Sequence, residues 1–504
     1  MFRLIGLKFQ PYNFFLIYGA LLVVALAPIW TVAVPPIKDY PNHLARAHIL
    51  VHAGNSEILR NFYEVRWAVL PNLAMDLIVP PLVHVFPLEV AGKIFISLAL
   101  ALMSSGTIAL HYALHRRLAP WPLVAFLFLY NGSLLWGFLN FLFAVGFALW
   151  LLAAWIYVRE RVSWPHALLF SCFAVALFFA HLAGFGVYAL GIVGYEFARY
   201  RNQRAKSQLV SLKPWLLSLS QFAAPALLFV FFSPTSDAPF VSIHEFEGAR
   251  FYVARKLFGL VQLLYTYDQT LDVIMLILLV LLIVIGAISH RIILNSTLRW
   301  VLVALVAAYL VIPFGALGSL YVDVRLTVPL ALVFIASTGL RSVNAKQGVI
   351  LAIFLLTLFI GRTALIMEKW SQADQLYAEI FLALEQLPEG ARMYTAYPEK
   401  GLELGFPVAD FRSMAVIAKS AFIPTIFADR GQQPIALRPP YQVLASQTPP
   451  HFLDKNPADW DWIAAQYDYL LIFEKDRFKA PLPPNLRLVH DGARIRLYRT
   501  PRAS

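Results

Sequence analysis

The chain has 504 residues, of which 60% are hydrophobic and only 14% charged, with a formal net charge of +12. Soluble domains carry about a quarter charged residues, so this composition excludes an ordinary soluble protein and calls for an α-helical polytopic membrane protein. One cysteine, Cys172, excludes an intrachain disulfide and a cysteine metal site.

The N-terminus carries Arg3 and Lys8 ahead of an apolar run at 13–34. That run approaches the ~20 residues a spanning helix needs. Pro35-Pro36 follows it, not a small-x-small cleavage pattern, so it is expected to be a retained first span.

The run Asp39-Tyr40-Pro41-Asn42-His43-Leu44-Ala45-Arg46 comes next and sets a carboxylate, an imidazole and a guanidinium beside the first span. With Pro41 opening a helix, His43 and Arg46 lie three apart on one face. Two readings of Asp39 follow. It caps an interfacial helix while Arg46 snorkels to headgroups. Or it faces a cavity as a general base, with Arg46 suited to a phosphate oxygen. The segment 73–88, with Asp76, Pro80, Pro81 and His84, is too broken for a clear span.

Further apolar runs fall at 91–114, 119–131, 132–158, 166–180, 182–198, 214–233, 272–289, 299–317, 323–340 and 348–366, for about eleven spans. With the N-terminus inside, the connectors on that side hold fifteen Lys or Arg against Glu160 and Glu196. The positive balance therefore reports orientation, not a nucleic-acid partner. The outer face carries loops at about 35–90 and 234–271.

Three outer-face groups join the Asp39 motif. His181 sits where the fifth span turns into the sixth, either as an interhelical hydrogen bonder or beside a cavity. His244-Glu245-Phe246-Glu247 lies in the second outer loop, either solvated or supplying a ligand. Asp323-Val324-Arg325 opens the tenth span, where ionisable groups are costly. Two apart on a helix, Asp323 and Arg325 do not face each other. Each needs a partner elsewhere or a ligand, such as a lipid phosphate for Arg325.

After residue 366 the composition changes, with sixteen basic and sixteen acidic residues and many prolines. A helix is expected over Ser371–Gln386 and strands at Tyr469–Phe473 and Arg494–Tyr498. The expected division is a membrane module at 1–366 and a soluble extracytoplasmic α/β domain at 367–504. No phosphate loop, GxSxG elbow or HExxH helix occurs, and no Asp-x-Asp pair lies near Asp39.

These features resemble the GT-C superfamily of membrane glycosyltransferases, which use sugars linked to lipid phosphates. The branch most similar is a bacterial group with a DYPNHLAR-type first outer loop. The resemblance implies that Asp39, just past span one, is the catalytic acid-base residue. It implies that Arg325 contacts the donor phosphate. Many relatives carry a paired acid where this chain has Asp39-Tyr40, which argues against a divalent metal. The expected protein thus lies in a bacterial inner membrane and uses no cofactor. It moves a sugar from a polyprenyl-phosphate donor to a glycan or lipid acceptor on the outer face. Asp39 is the base, while His43, Arg46, His181, Asp323 and Arg325 bind substrate. The alternatives are a flippase of lipid-linked sugars, disfavoured by the lack of an inverted repeat, and a non-catalytic scaffold of an envelope polysaccharide complex.

Overall fold

The computed structural model describes residues 11–206, 213–237, 249–341, 344–398, 409–452, 455–477 and 482–503. The His244–Glu247 group lies outside these residues. The chain is mostly helical: α1 (Pro11–Trp30), α2 (Tyr40–His52), α3 (Glu57–Phe62), α4 (Ala74–Val83), α5 (Leu88–His115), α6 (Gly132–Trp136), α7 (Leu139–Val158), α8 (Trp164–Ala180), α9 (Leu182–Ala205), α10 (Lys213–Ser220), α11 (Ala223–Phe232), α12 (Ala249–Gln262), α13 (Gln269–Ile288), α14 (Arg299–Val311), α15 (Val322–Arg325), α16 (Thr327–Ser337), α17 (Ala345–Glu385), α18 (Met414–Lys419), α19 (Pro439–Gln447) and α20 (Pro457–Gln466).

Among the described residues five helices are long and apolar enough to cross a membrane: α1, α5, α7, α13 and α17, with the bent pair α10–α11 as a sixth if it acts as one span. Other apolar runs fold as shorter helices, and their breaks are visible in the sequence. Pro80 and Pro81 lie inside the ten-residue α4, Pro122 opens the 3-10 helix Trp121–Phe128, and α8 stops at the extended residue His181. A membrane-associated protein follows from these apolar helices.

The chain divides into two compact units. The first comprises 1–28, 69–74 and 96–366. In it, α9 packs against α7 and α14. Helices α5 and α7 approach at two glycines: a Cβ on Gly106 would lie 2.8 Å from the Gly146 carbonyl oxygen, and one on Gly146 would lie 2.7 Å from the backbone of Leu102 and Met103. Small residues at such crossings let helix backbones touch in an apolar solvent that gives no hydrophobic drive between helices. A buried Arg159–Glu196 ion pair ties α9 to the turn after α7, with Arg159 Nη2 2.7 Å from Glu196 Oε2. Ser218 Oγ donates to the same carboxylate at 3.0 Å.

The second unit comprises 29–68, 75–95 and 367–504. Its main sheet has the order β4-β6-β8-β7: β4 (Met393–Ala396), β6 (Tyr469–Phe473), β7 (Arg487–Asp491) and β8 (Ile495–Arg499). Strands β4 and β6 are parallel, and the other pairs are antiparallel. All five residues of β6 are buried, as expected of an apolar central strand. A second pairing joins β1 (Tyr63–Val65) to β5 (Ile435–Leu437), so the first loop and the tail share one sheet. In the first unit β2 (Ile292–Leu294) pairs β3 (Thr338–Leu340).

The helix expected over Ser371–Gln386 does not start anew. Helix α17 runs unbroken over 41 residues. No Gly or Pro occurs between Arg362 and Leu387, and the stretch is rich in Ala, Leu, Glu and Gln, which favour helix. Pro388 follows its end.

Candidate functional site

In the second unit the Asp39 motif folds as expected. Helix α2 begins at Tyr40, with Pro41 in its first turn, where a missing N–H is harmless. Asp39 holds the N-cap position, and its carbonyl accepts from His43 N at 3.1 Å. Its side chain makes no capping hydrogen bond to the helix. The half-buried carboxylate therefore does not serve the local structural purpose that a cap would give it.

The first two turns of the helix are covered by protein. Every residue from Tyr40 to Ala47 is buried. The snorkelling alternative for Arg46 fails on this point, because its side chain is 1% exposed. It donates instead to Asp76 on α4, Nε to Oδ1 at 2.5 Å and Nη2 to Oδ2 at 2.9 Å. A fork of this kind gives both orientation and charge balance. Arg46 Nη2 also lies 2.9 Å from His43 Nδ1. An arginine only donates, so His43 Nδ1 accepts and a neutral ring carries its proton on Nε2.

The tail closes over this helix. Ser413 Oγ donates to Asn42 Oδ1 at 2.9 Å, Phe427 N donates to the same oxygen at 3.3 Å, and the Phe427 ring meets His43 edge-on. Three buried side chains here keep unused donors: Asn42 Nδ2, Arg46 Nη1, and Nε and Nη1 of Arg412. Arg412 is 5% exposed and makes one long contact, Nη2 to Asp410 at 3.3 Å. Buried donors without acceptors are rare in folded proteins and point to an oxygen-bearing occupant, water or ligand.

In the first unit His181 ends α8 and caps α9. Its Nδ1 accepts from Ala183 N at 3.0 Å. A neutral ring then bears its proton on Nε2, and Arg325 Nη1 lies 3.3 Å from that atom. Arg325 also donates to Leu320 O at 3.0 Å and lies over the Phe138 ring at 3.9 Å. These contacts aim the guanidinium, and stacking on an aromatic face is a use to which Arg is suited.

Asp323 and Arg325 do not pair, as their spacing requires. Asp323 is held on both oxygens by α12: Arg255 Nη2 at 3.0 Å and Lys256 Nζ at 2.8 Å. It is buried and engaged, and it fixes the short α15 that carries Arg325. The structure thus groups His181 with Arg325 in one unit and Asp39, His43 and Arg46 in the other.

From the sequence Asp76 is only a weak candidate in the broken segment 73–88, and Arg412, Arg255, Lys256 and Arg362 are passed over. The last lies on α17 and donates to Leu264 O at 2.7 Å and Tyr130 O at 2.8 Å. An arginine inside an apolar run was a visible signal for it. Nothing local marked Arg412, which lies about 370 residues from Asn42. Among the described residues no group of three or more His, Cys, Asp or Glu is placed to hold a metal ion. No protein-family model matches the chain, and no curated protein matches it.

Proposed function

We propose that the protein is a membrane glycosyltransferase of the GT-C kind, taking its sugar from a polyprenyl-phosphate donor at the outer face of a bacterial inner membrane. The observation that carries this reading is the set of unused buried donors on Asn42, Arg46 and Arg412 around the helix that Asp39 heads. A carboxylate at the head of a helix that carries amide and guanidinium donors is suited to a sugar hydroxyl. Asp39 takes the proton of the acceptor hydroxyl. The acceptor oxygen then bonds to the anomeric carbon as the bond from that carbon to the phosphate oxygen breaks, with inversion. Polyprenyl phosphate leaves with that bond's electron pair; in the first unit, Arg325 and the Nε2 proton of His181 are donors suited to a phosphate oxygen. Arg46 and Asp76 hold α2 in place; Asp323 does the same for α15. The lipid phosphate is already an activated leaving group, so the step needs no nucleotide.

The test is sugar transfer in membranes bearing the full chain, with radiolabelled polyprenyl-phosphate hexoses and pentoses as donors. Asp39→Asn should abolish transfer, and Arg325→Ala should reduce it strongly. Full transfer by Asp39→Asn would overturn the assignment of the base.

A further inference from the structure

A cavity of about 590 Å³ opens among α1, α5 and α7 of the first unit, lined by Phe14, Tyr18, Tyr112, Trp150 and Tyr157 among others. Three polar side chains of its wall are engaged. Ser105 Oγ donates to Ala101 O at 2.6 Å and accepts from Trp150 Nε1 at 2.9 Å, and Tyr18 OH meets Ser104 Oγ at 3.3 Å. The wall therefore offers hydrocarbon and ring faces. Along α5 it runs from Ser105 to Ala113, and along α7 from Trp150 to Val158. Eight residues of helix rise about 12 Å, close to one leaflet's share of a ~30 Å hydrocarbon core.

One end of the cavity is the turn after α5, whose Leu118 lines it. Arg116 in that turn takes a left-handed backbone, φ 52°, a conformation that costs a non-glycine residue about 1 kcal/mol. This geometry lays its guanidinium over the Tyr157 ring at 4.4 Å. Elsewhere in the first unit Arg159 pairs with Glu196 and Arg199 with Glu160. Among the described residues Arg116 has no carboxylate partner, although it is exposed. An apolar slot one leaflet deep, ending at an exposed cation, complements a lipid with an anionic headgroup.

We infer that this cavity binds one acyl chain of an anionic glycerophospholipid, with its phosphate on Arg116. The aromatic residues flank the chain, and the lipid locks α1 against α5 and α7. Arg117 reaches elsewhere, its Nη2 standing 3.9 Å from where a Cβ on Gly339 would lie, so it serves as a charge-matched control.

The experiment is native mass spectrometry of the full chain in detergent. It uses equimolar phosphatidylglycerol and phosphatidylcholine of identical chains, with polyprenyl phosphate in a separate arm. The wild type should retain phosphatidylglycerol about fivefold over phosphatidylcholine, equivalent to about 1 kcal/mol at one cation. Arg116→Ala and Arg116→Gln should bring that ratio near unity, and Arg117→Ala should leave it unchanged. Ala109→Phe, which fills the slot without touching the cation, should lower retention of both lipids. Equal retention of the two lipids by the wild type would overturn the inference. So would equal losses in the Arg116 and Arg117 variants, unchanged retention in Ala109→Phe, or preference for polyprenyl phosphate.

Discussion

Replacing Asp76 with Leu removes the carboxylate that holds Arg46. Both side chains are almost fully buried, at 1% and 2% exposure. The variant leaves a buried guanidinium with two broken bonds and with Nη1 already lacking an acceptor. Removing one partner of a buried ion pair costs about 3–5 kcal/mol, because the other charge is left uncompensated. The surviving contact to His43 Nδ1 places the expected loss near the lower bound, about 3 kcal/mol. Arg46→Met should cost a similar amount by stranding Asp76. The double variant Arg46→Met with Asp76→Leu replaces a charged pair by two apolar side chains and should recover most of the loss. The assay is equilibrium unfolding of the detergent-solubilised chain, read as a double-mutant cycle. Additive losses, with a coupling energy below about 0.5 kcal/mol, would refute the claim that this pair holds α2 in place.

Burial, with the Arg412 charge beside it, holds His451 down to about 3. The unfolded chain takes up this proton near 6.5 and the folded chain only near 3, so the contribution is fully present above about pH 6.5 and is lost by about 1.4 kcal/mol per pH unit as pH falls toward 3; His451→Phe should flatten that slope in an acid titration of stability. Gly146→Val drives a side chain into the Leu102–Met103 backbone 2.7 Å away and should destabilise the chain by about 1–3 kcal/mol or more in the same unfolding assay. Arg325→Lys keeps the charge but loses the planar fork over Phe138, and should slow sugar transfer about 10–100-fold at saturating donor, an effect of about 1.4–2.8 kcal/mol.

Composition made the membrane class legible, since 14% charge leaves no soluble alternative. Local rules placed α2: Pro41 marks its start, and the three-residue spacing joins His43 to Arg46. Periodicity found β6 within the residues expected and β8 one residue later. The partners of these groups were not legible. Asp76 meets Arg46 across thirty residues interrupted by β1 and a loop, and Arg255 meets Asp323 across sixty-eight. Such pairings depend on chain topology, which no short window encodes. Likewise the pairing of β1 with β5 joins segments more than 350 residues apart, and each strand has only three residues, too few for a period-2 signal. The run at 348–366 read as an isolated span, yet its helix continues to Glu385 because nothing in its sequence breaks it.

The most direct test of the account is turnover by the purified full chain in liposomes, following release of polyprenyl phosphate from a labelled polyprenyl-phosphate sugar when acceptor glycans or lipids are added. The wild type should release one polyprenyl phosphate per sugar transferred. Asp39→Asn should lose about 10²-fold or more of this turnover, with donor binding retained. Donor binding without turnover by the wild type across a broad acceptor panel, or equal turnover by Asp39→Asn, would contradict it.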